Sequence, residues 1–173
     1  MCNSANHPLM MTHVQSGAVS ESDERKREWL PRMGRGEWSY LAALTVVTTG
    51  LLAVFGRRVW CSLGDVALST WDASSGHLSQ HLADPYSFTH FEHGILFFAG
   101  LTLVFRNKSL TWRFLAALTI AAGWEVLENS SWVIDRYREQ TIDAGYYGDS
   151  IANALSDMVW CAAGFVFTAR VRW

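Results

Sequence analysis

The run WSYLAALTVVTTGLLAVF, Trp38 to Phe55, holds eighteen residues without a charge. A helix needs about 20 apolar residues to cross a hydrocarbon core about 30 Å thick, so this run has the dimensions of a membrane span. Three further stretches approach that length: HFEHGILFFAGLTLVF at 90–105, LTWRFLAALTIAAGWEVLEN at 110–129, and the segment 149–169. Each of these carries charge near one end. Their apolar residues are not interrupted at every third or fourth position, as an amphipathic soluble helix requires, so a soluble four-helix bundle is the weaker alternative. Charged residues make up 17 % of the chain, against roughly 25 % in a soluble domain.

Basic residues set an orientation. Arg25, Lys26, Arg27, Arg32 and Arg35 precede the first span; Arg106, Lys108 and Arg113 flank the connection between the second and third; Arg170 and Arg172 end the last. The other side holds Arg57, Arg58, Arg136 and Arg138, together with most of the acidic residues. The expectation is an all-α, four-helix transmembrane bundle with both termini cytoplasmic. Residues 1–37 read as a polar cytoplasmic arm, and residues 38–173 as the membrane domain with external loops 56–89 and 130–148. The first span serves as an uncleaved anchor. No two of Cys2, Cys61 and Cys161 are placed to meet, so no structural disulfide is expected.

This topology gathers the unusual polar residues at the external face. His90 and His93 stand one turn apart at the head of the second span. Glu125, Glu128 and Asn129 end the third. Asp149, Asn153 and Asp157 recur at spacing four in the fourth, a stripe drifting about 40° per step, with Asp157 about 12 Å along the axis from Asp149. Ionisable groups inside a span are costly and rare, and no cap or headgroup accounts for Asp157. Asp149 with Ser150 also makes a natural helix cap, and Asn153 a natural interhelical hydrogen-bond group.

Imidazoles beside carboxylates suit zinc, iron or manganese, whereas carboxylates with amides suit magnesium. A divalent cation would also offset carboxylates held ionised at depth. His90, His93, Glu125 and Asp149 are therefore the expected metal ligands, and Glu128 and Asp157 the expected catalytic pair. Asn129, Asn153, Arg136 and Arg138 are the expected substrate contacts. The two arginines equally suit pairing with Asp135 and Glu139. His77 and His81 could extend the ligand set but read more simply as surface histidines, and nothing beside Cys61 suggests an activated thiol.

At these residues the chain resembles a family. WEVLENSSWVIDRYREQTIDAGYYGDSIANALSD, Trp124 to Asp157, and SQHLADPYSFTHFEHGILFF, Ser79 to Phe98, are similar to the UPF0314 (DUF2585) membrane proteins of alphaproteobacteria. The resemblance covers about 60–164. It implies a multi-pass inner-membrane protein and carries no reaction or catalytic residues with it. At Trp60–Gly64 the family pattern has two cysteines around a glycine where this chain has Cys61 alone, which argues against a thiolate metal site.

The reading that follows is a metal-dependent membrane enzyme working at the periplasmic face on a lipid-like or amphiphilic substrate. The bilayer, such a substrate or a membrane-complex partner are the expected contacts, and no nucleic acid is. The alternative is a non-catalytic assembly protein whose polar cluster is packing glue or a docking surface. A transporter or proton relay ranks last, because the cytoplasmic halves of the first three spans are apolar.

Overall fold

The computed structural model describes residues 30–140 and 146–171. Five helices account for its regular structure: α1 (Arg35–Val54), α2 (Ser87–Val104), α3 (Leu110–Glu128), α4 (Ser131–Glu139) and α5 (Ile151–Val171). Among the described residues there is no strand, only an isolated bridge between Ser69 and Ala83. By length and composition α1, α3 and α5 can cross a membrane. In α1 only Thr48 and Leu52 are buried, while Val46, Val47 and Val54 lie exposed. A helix that leaves so much apolar surface uncovered suits a lipid environment.

The molecule is built around the α2–α5 pair, the most extensive helix contact. Two glycines permit it. A Cβ at Gly94 would run into the backbone at Cys161 and Phe165, and one at Gly164 into the Phe91 carbonyl. Small residues that let backbones approach are the usual means by which membrane helices associate, because burial of apolar surface gives no advantage in lipid. α3 completes this arrangement by packing on both α2 and α5.

Polarity is strongly divided along the bundle. One end is packed with Phe98, Phe114, Ala117, Leu118, Phe165 and Ala169. Phe165 sits at its centre, edge-on to Phe98 and to Phe114. At this end the segment before α1 meets the start of α3, where the Arg32 amide donates to Thr111 Oγ1 at 2.9 Å. Arg32 is thus brought beside the start of α3, which carries Arg113. The opposite end holds the buried polar residues His90, Glu125, Asn129, Asp149, Asn153 and Asp157.

The long connection between α1 and α2 folds over this polar end. It hydrogen-bonds the start of α5, whose first amides have no partner within their own helix. Ser150 donates its amide to the Ser79 carbonyl at 2.9 Å, Ile151 to Arg58 at 2.8 Å and Ala152 to Val59 at 3.1 Å. Gln80 Nε2 donates to the Gly148 carbonyl at 3.0 Å, and Ser156 Oγ to the Leu82 carbonyl at 2.5 Å. Asp84, fully buried, organises the entry to α2: its carboxylate accepts from the amides of Ser79, Tyr86 and Ser87. Within the second connection the structure adds α4, a short helix capped by Ser130 Oγ, where the sequence suggests an interfacial segment.

Candidate functional site

A cavity of about 280 Å³ opens at the polar end, between the heads of α2 and α5 and the last turns of α3. Ser79, His90, His93, Glu128, Asp149 and Asp157 are among its lining residues. Glu125 lies behind this wall, only 1 % exposed. One carboxylate oxygen each from Glu125, Glu128 and Asp149 falls within 4.8 Å of the others. His90 connects this group to the depth of α5: Nδ1 stands 3.5 Å from Glu125 Oε1, and Nε2 stands 3.8 Å from Asp157 Oδ2.

Helical geometry explains the convergence. Glu125 and Glu128 are three residues apart on α3, about 60° around the axis, so both carboxylates reach the same side. Asp149 comes from the extended segment before α5. The cap of that helix is Ser150, whose Oγ accepts from the Asn153 amide at 3.0 Å. Asp149 is thereby left to face the cavity. Among the described residues neither Glu125 oxygen has a hydrogen-bond partner, and Asp157 Oδ1 lacks one too. A buried carboxylate without donors is a costly arrangement unless a cation or a ligand completes it.

The expected ligand set is partly redistributed. Glu125 and Asp149 do come together, but their third partner is Glu128 rather than either histidine. His90 reaches the group only through Glu125 and Asp157. His93 lies edge-on to His90, with ring centroids 5.7 Å apart, and stacks on Phe97. Three residues along a helix leave the two imidazoles about 60° apart; both line the cavity, and His90 is the one that stands beside the Glu125 and Asp157 carboxylates.

The expected substrate contacts need correction as well. Asn129 is fully buried and spends its amide on the protein. Its Nδ2 donates to Asp149 Oδ2 at 2.6 Å and to the Glu125 carbonyl at 3.0 Å, and its Oδ1 accepts from the Asp149 amide at 2.7 Å. Asn129 therefore holds Asp149 in place. Asn153 donates to the His81 carbonyl at 2.8 Å, tying the α1–α2 connection to α5. Arg136 and Arg138 are exposed on α4 and do not line the cavity; the Arg138 guanidinium lies 4.6 Å over the Tyr147 ring. Polar residues on the right helix face were identifiable from spacing, but whether an amide is free depends on partners distant in sequence.

Tyr146 was not anticipated. Its hydroxyl donates to Asp149 Oδ1 at 2.9 Å, in the cavity wall. Burial, and then the charges of Asp149 and Glu128, push its phenol above the ordinary range, so it acts as a neutral donor. Tyr137 lines the same wall and is shifted the same way, by burial and then by Glu128. Ser79 also lines it, with a backbone φ of 58°. A non-glycine residue held in the left-handed region stores strain that its surroundings must support. Here the Ser79 amide is fixed by Asp84, and its carbonyl accepts from Ser150 and Gln80.

Next to the polar cavity is a second hollow of about 300 Å³ that shares His90, His93 and Trp124 with it. Phe97, Ile120 and Ala121 make this second wall apolar. The pair of hollows is thus polar on one side of the histidines and greasy on the other.

The connection between α1 and α2 also departs from expectation. His81 is buried, 1 % exposed, rather than on the surface. Cys61 is buried too, with Sγ 3.4 Å from His77 Nδ1. Asp65 stands beside both histidines. A hydrogen bond from the Ala67 amide holds its carboxyl below the usual range against the opposing effect of burial, with smaller help from the two imidazoles. Cys61 and Cys161 are free thiols, and Cys2 lies outside the described residues.

Fold and site together define an all-helical protein with helices of membrane length and a buried carboxylate cluster at one end. The chain belongs to the DUF2585 family of proteins of unknown function, whose model matches residues 52–173, and its relatives carry the name UPF0314. It is 45 % identical over 153 residues to a UPF0314 protein of Agrobacterium fabrum, covering 88 % of this chain and 73 % of that one. It is 38 % identical over 141 residues to one from Sphingopyxis alaskensis, covering 82 % and 75 %. The match to one from Paracoccus denitrificans is 39 % identical over 134 residues, covering 78 % and 69 %. No solved structure matches the chain.

Proposed function

We propose that this is a multi-pass inner-membrane protein with both termini in the cytoplasm, and a divalent-metal-dependent enzyme acting at the periplasmic face on an amphiphilic, lipid-like substrate. The observation that carries this reading is the convergence of Glu125, Glu128 and Asp149 oxygens within 4.8 Å beside the cavity. Three carboxylates with tyrosine and amide support form a hard, oxygen-rich set, which favours magnesium or manganese over zinc. A cation held there would polarise a phosphoryl or acyl oxygen and lower the pKa of a bound water. Asp157 and His90 form the neighbouring acid–base couple: the Glu125 carboxylate, 3.5 Å from Nδ1, orients the imidazole, whose Nε2 would take the proton from an attacking water on the side of Asp157. Asn129 and Tyr146 hold Asp149 by hydrogen bonds, which fixes a ligand as well as a substrate would require.

The paired hollows support an amphiphile. A polar headgroup would sit against Glu128, Asp149 and Asp157, with its apolar chain along Phe97, Ile120 and Ala121. The assembly reading has one observation in its favour, the Asn129–Asp149 bracket, which is packing glue of the expected kind. Glu125 and Asp157 fit that role less well, since among the described residues both Glu125 oxygens and Asp157 Oδ1 accept no hydrogen bond.

The test is turnover of phosphoryl and acyl lipids by the purified protein in lipid nanodiscs, after chelation and after return of manganese or magnesium. The expected result is hydrolysis or transfer that chelation abolishes, the metal restores, and His90→Ala reduces by about 10²–10⁴-fold, the range for loss of a general base. Turnover insensitive to both chelation and Glu128→Gln would contradict the reading.

A further inference from the structure

Away from the carboxylate cavity, the connection between α1 and α2 assembles a second and chemically different donor set. It consists of a thiol, a carboxylate and two imidazoles: Cys61, Asp65, His77 and His81, with one ligand atom from each within 4.8 Å of all the others. Cys61 and Asp65 are four residues apart, as are His77 and His81. That is the spacing of two-by-two zinc sites, in which each pair of ligands comes from one turn and the pairs are joined by a longer stretch.

The three closest separations lie near the edge length of a tetrahedral site, two of them reaching different oxygens of Asp65. Zinc–ligand bonds of about 2.0–2.3 Å place neighbouring ligand atoms about 3.3–3.7 Å apart. Cys61 Sγ to His77 Nδ1 is 3.4 Å, His77 Nδ1 to Asp65 Oδ2 is 3.1 Å, and His81 Nε2 to Asp65 Oδ1 is 3.1 Å. Hydrogen bonding accounts for the cluster less well. His77 Nδ1 faces both the thiol and the carboxylate, and a single ring proton cannot serve both at full strength. Among the described residues His81 Nδ1 has no partner, so the only polar contact of that buried ring is on the side of Asp65. The two imidazoles stack with an interplanar angle of 13° and centroids 5.6 Å apart.

The backbone around the cluster is fixed independently of any ligand. The Trp60 indole donates to the Asp65 carbonyl at 2.9 Å, and the Ala67 amide to Asp65 Oδ1 at 2.6 Å. Gly64, at φ 83°, closes the turn back onto Cys61. Ser75 Oγ accepts from the His77 amide at 3.2 Å. Gln80 Oε1 accepts from the Ser62 amide at 3.1 Å, joining the Cys61 turn to the His77–His81 turn.

We infer that Cys61, Asp65, His77 and His81 form a structural zinc site that clamps the external loop over the bundle. All four positions are protein ligands, which closes the site and distinguishes it from a catalytic zinc centre with an open position. The clamp lies next to the groups that hold the loop down. Ser79 and Gln80, between the two histidines, bond to Ser150 and Gly148, and the His81 carbonyl accepts from Asn153. Zinc binding therefore steadies the loop that supplies Ser79 to the cavity wall. It also keeps Cys61 as a coordinated thiolate, protected from oxidation.

The experiment uses the full chain in detergent under reducing conditions, titrated with zinc and, separately, with cobalt as a spectroscopic substitute. Wild type is expected to bind one zinc per chain at this site and to give an intense cobalt spectrum with a thiolate-to-metal band in the near ultraviolet. Cys61→Ser should lose that band, and His77→Ala should weaken zinc binding by at least about tenfold. The Glu125→Gln/Glu128→Gln double variant should retain both, which separates this site from the cavity. Zinc should slow alkylation of Cys61 in wild type. Absence of the thiolate band from cobalt-loaded wild type would overturn the inference even if the variants fold poorly. Zinc affinity unchanged in Cys61→Ser and His77→Ala would overturn it too.

Discussion

Gly94→Leu is expected to prevent folding, and Gly94→Ala to cost about 1–3 kcal/mol, because there is no room for a side chain where α2 crosses α5. The atoms that a Cβ would meet belong to the Cys161 carbonyl and the Phe165 amide, and backbone inside a helix cannot move aside as a flexible side chain can. The same applies at Gly164 against Phe91. Gly100 is the control: a Cβ there meets nothing within 4 Å, so Gly100→Ala should be neutral or slightly stabilising. Denaturant titration in mixed micelles, followed by helical circular dichroism, checks the order. The consequence extends to the site, because His90 on α2 and Asp157 on α5 are brought to 3.8 Å by this crossing. Any Gly94→Ala protein that folds should therefore show weakened function as well as reduced stability.

Glu125→Gln should raise stability in the presence of chelator, by about 1–3 kcal/mol, and lower it relative to wild type once a divalent cation is added. Glu125 is buried among other carboxylates, and among the described residues its oxygens have no hydrogen-bond partner. Without a cation the protein must either keep mutually repelling charges or protonate one of them, and both cost free energy that an isosteric amide avoids. With a cation, wild type gains binding energy that the variant forfeits. Thermal unfolding in detergent, with and without manganese, should therefore show the two proteins exchanging order. Were Glu125 a packing group only, the order would be the same in both conditions. An increase in stability at the expense of activity is the usual signature of a functional group held in an unfavourable place.

Residues that contradict their surroundings were the ones legible in the sequence. Asp157 stands in an apolar segment where an ionisable group needs a reason, and helical spacing put it at the same end as His90 and the last turns of α3. Asp84, Ser79 and Gln80 were not legible, because polar residues in a polar loop attract no notice. Their burial results from the loop folding onto α5, a long-range event. The Asp-Pro-x-Ser order at 84–87 was the one local signal, an acidic residue placed to accept amides at a helix start. Cys61, Asp65, His77 and His81 failed for a related reason. Each pair looks ordinary on its own turn, and only the fold sets the turns against each other. Asn129 and Asn153 both read as substrate contacts, and Asn153 also as a hydrogen-bond group between helices; their amides are taken up by Asp149 and by the His81 carbonyl of the loop.

The central claim, that the carboxylate cavity holds a divalent cation, is tested most directly by manganese binding. Electron paramagnetic resonance can follow free and bound manganese on the full chain in nanodiscs, in a Cys61→Ser background that removes the thiolate from the loop site. One bound manganese per chain is expected, displaced by magnesium, and weakened at least about tenfold by Glu128→Gln or Asp149→Asn. No bound manganese in this background, or binding unaffected by either substitution, would contradict the account.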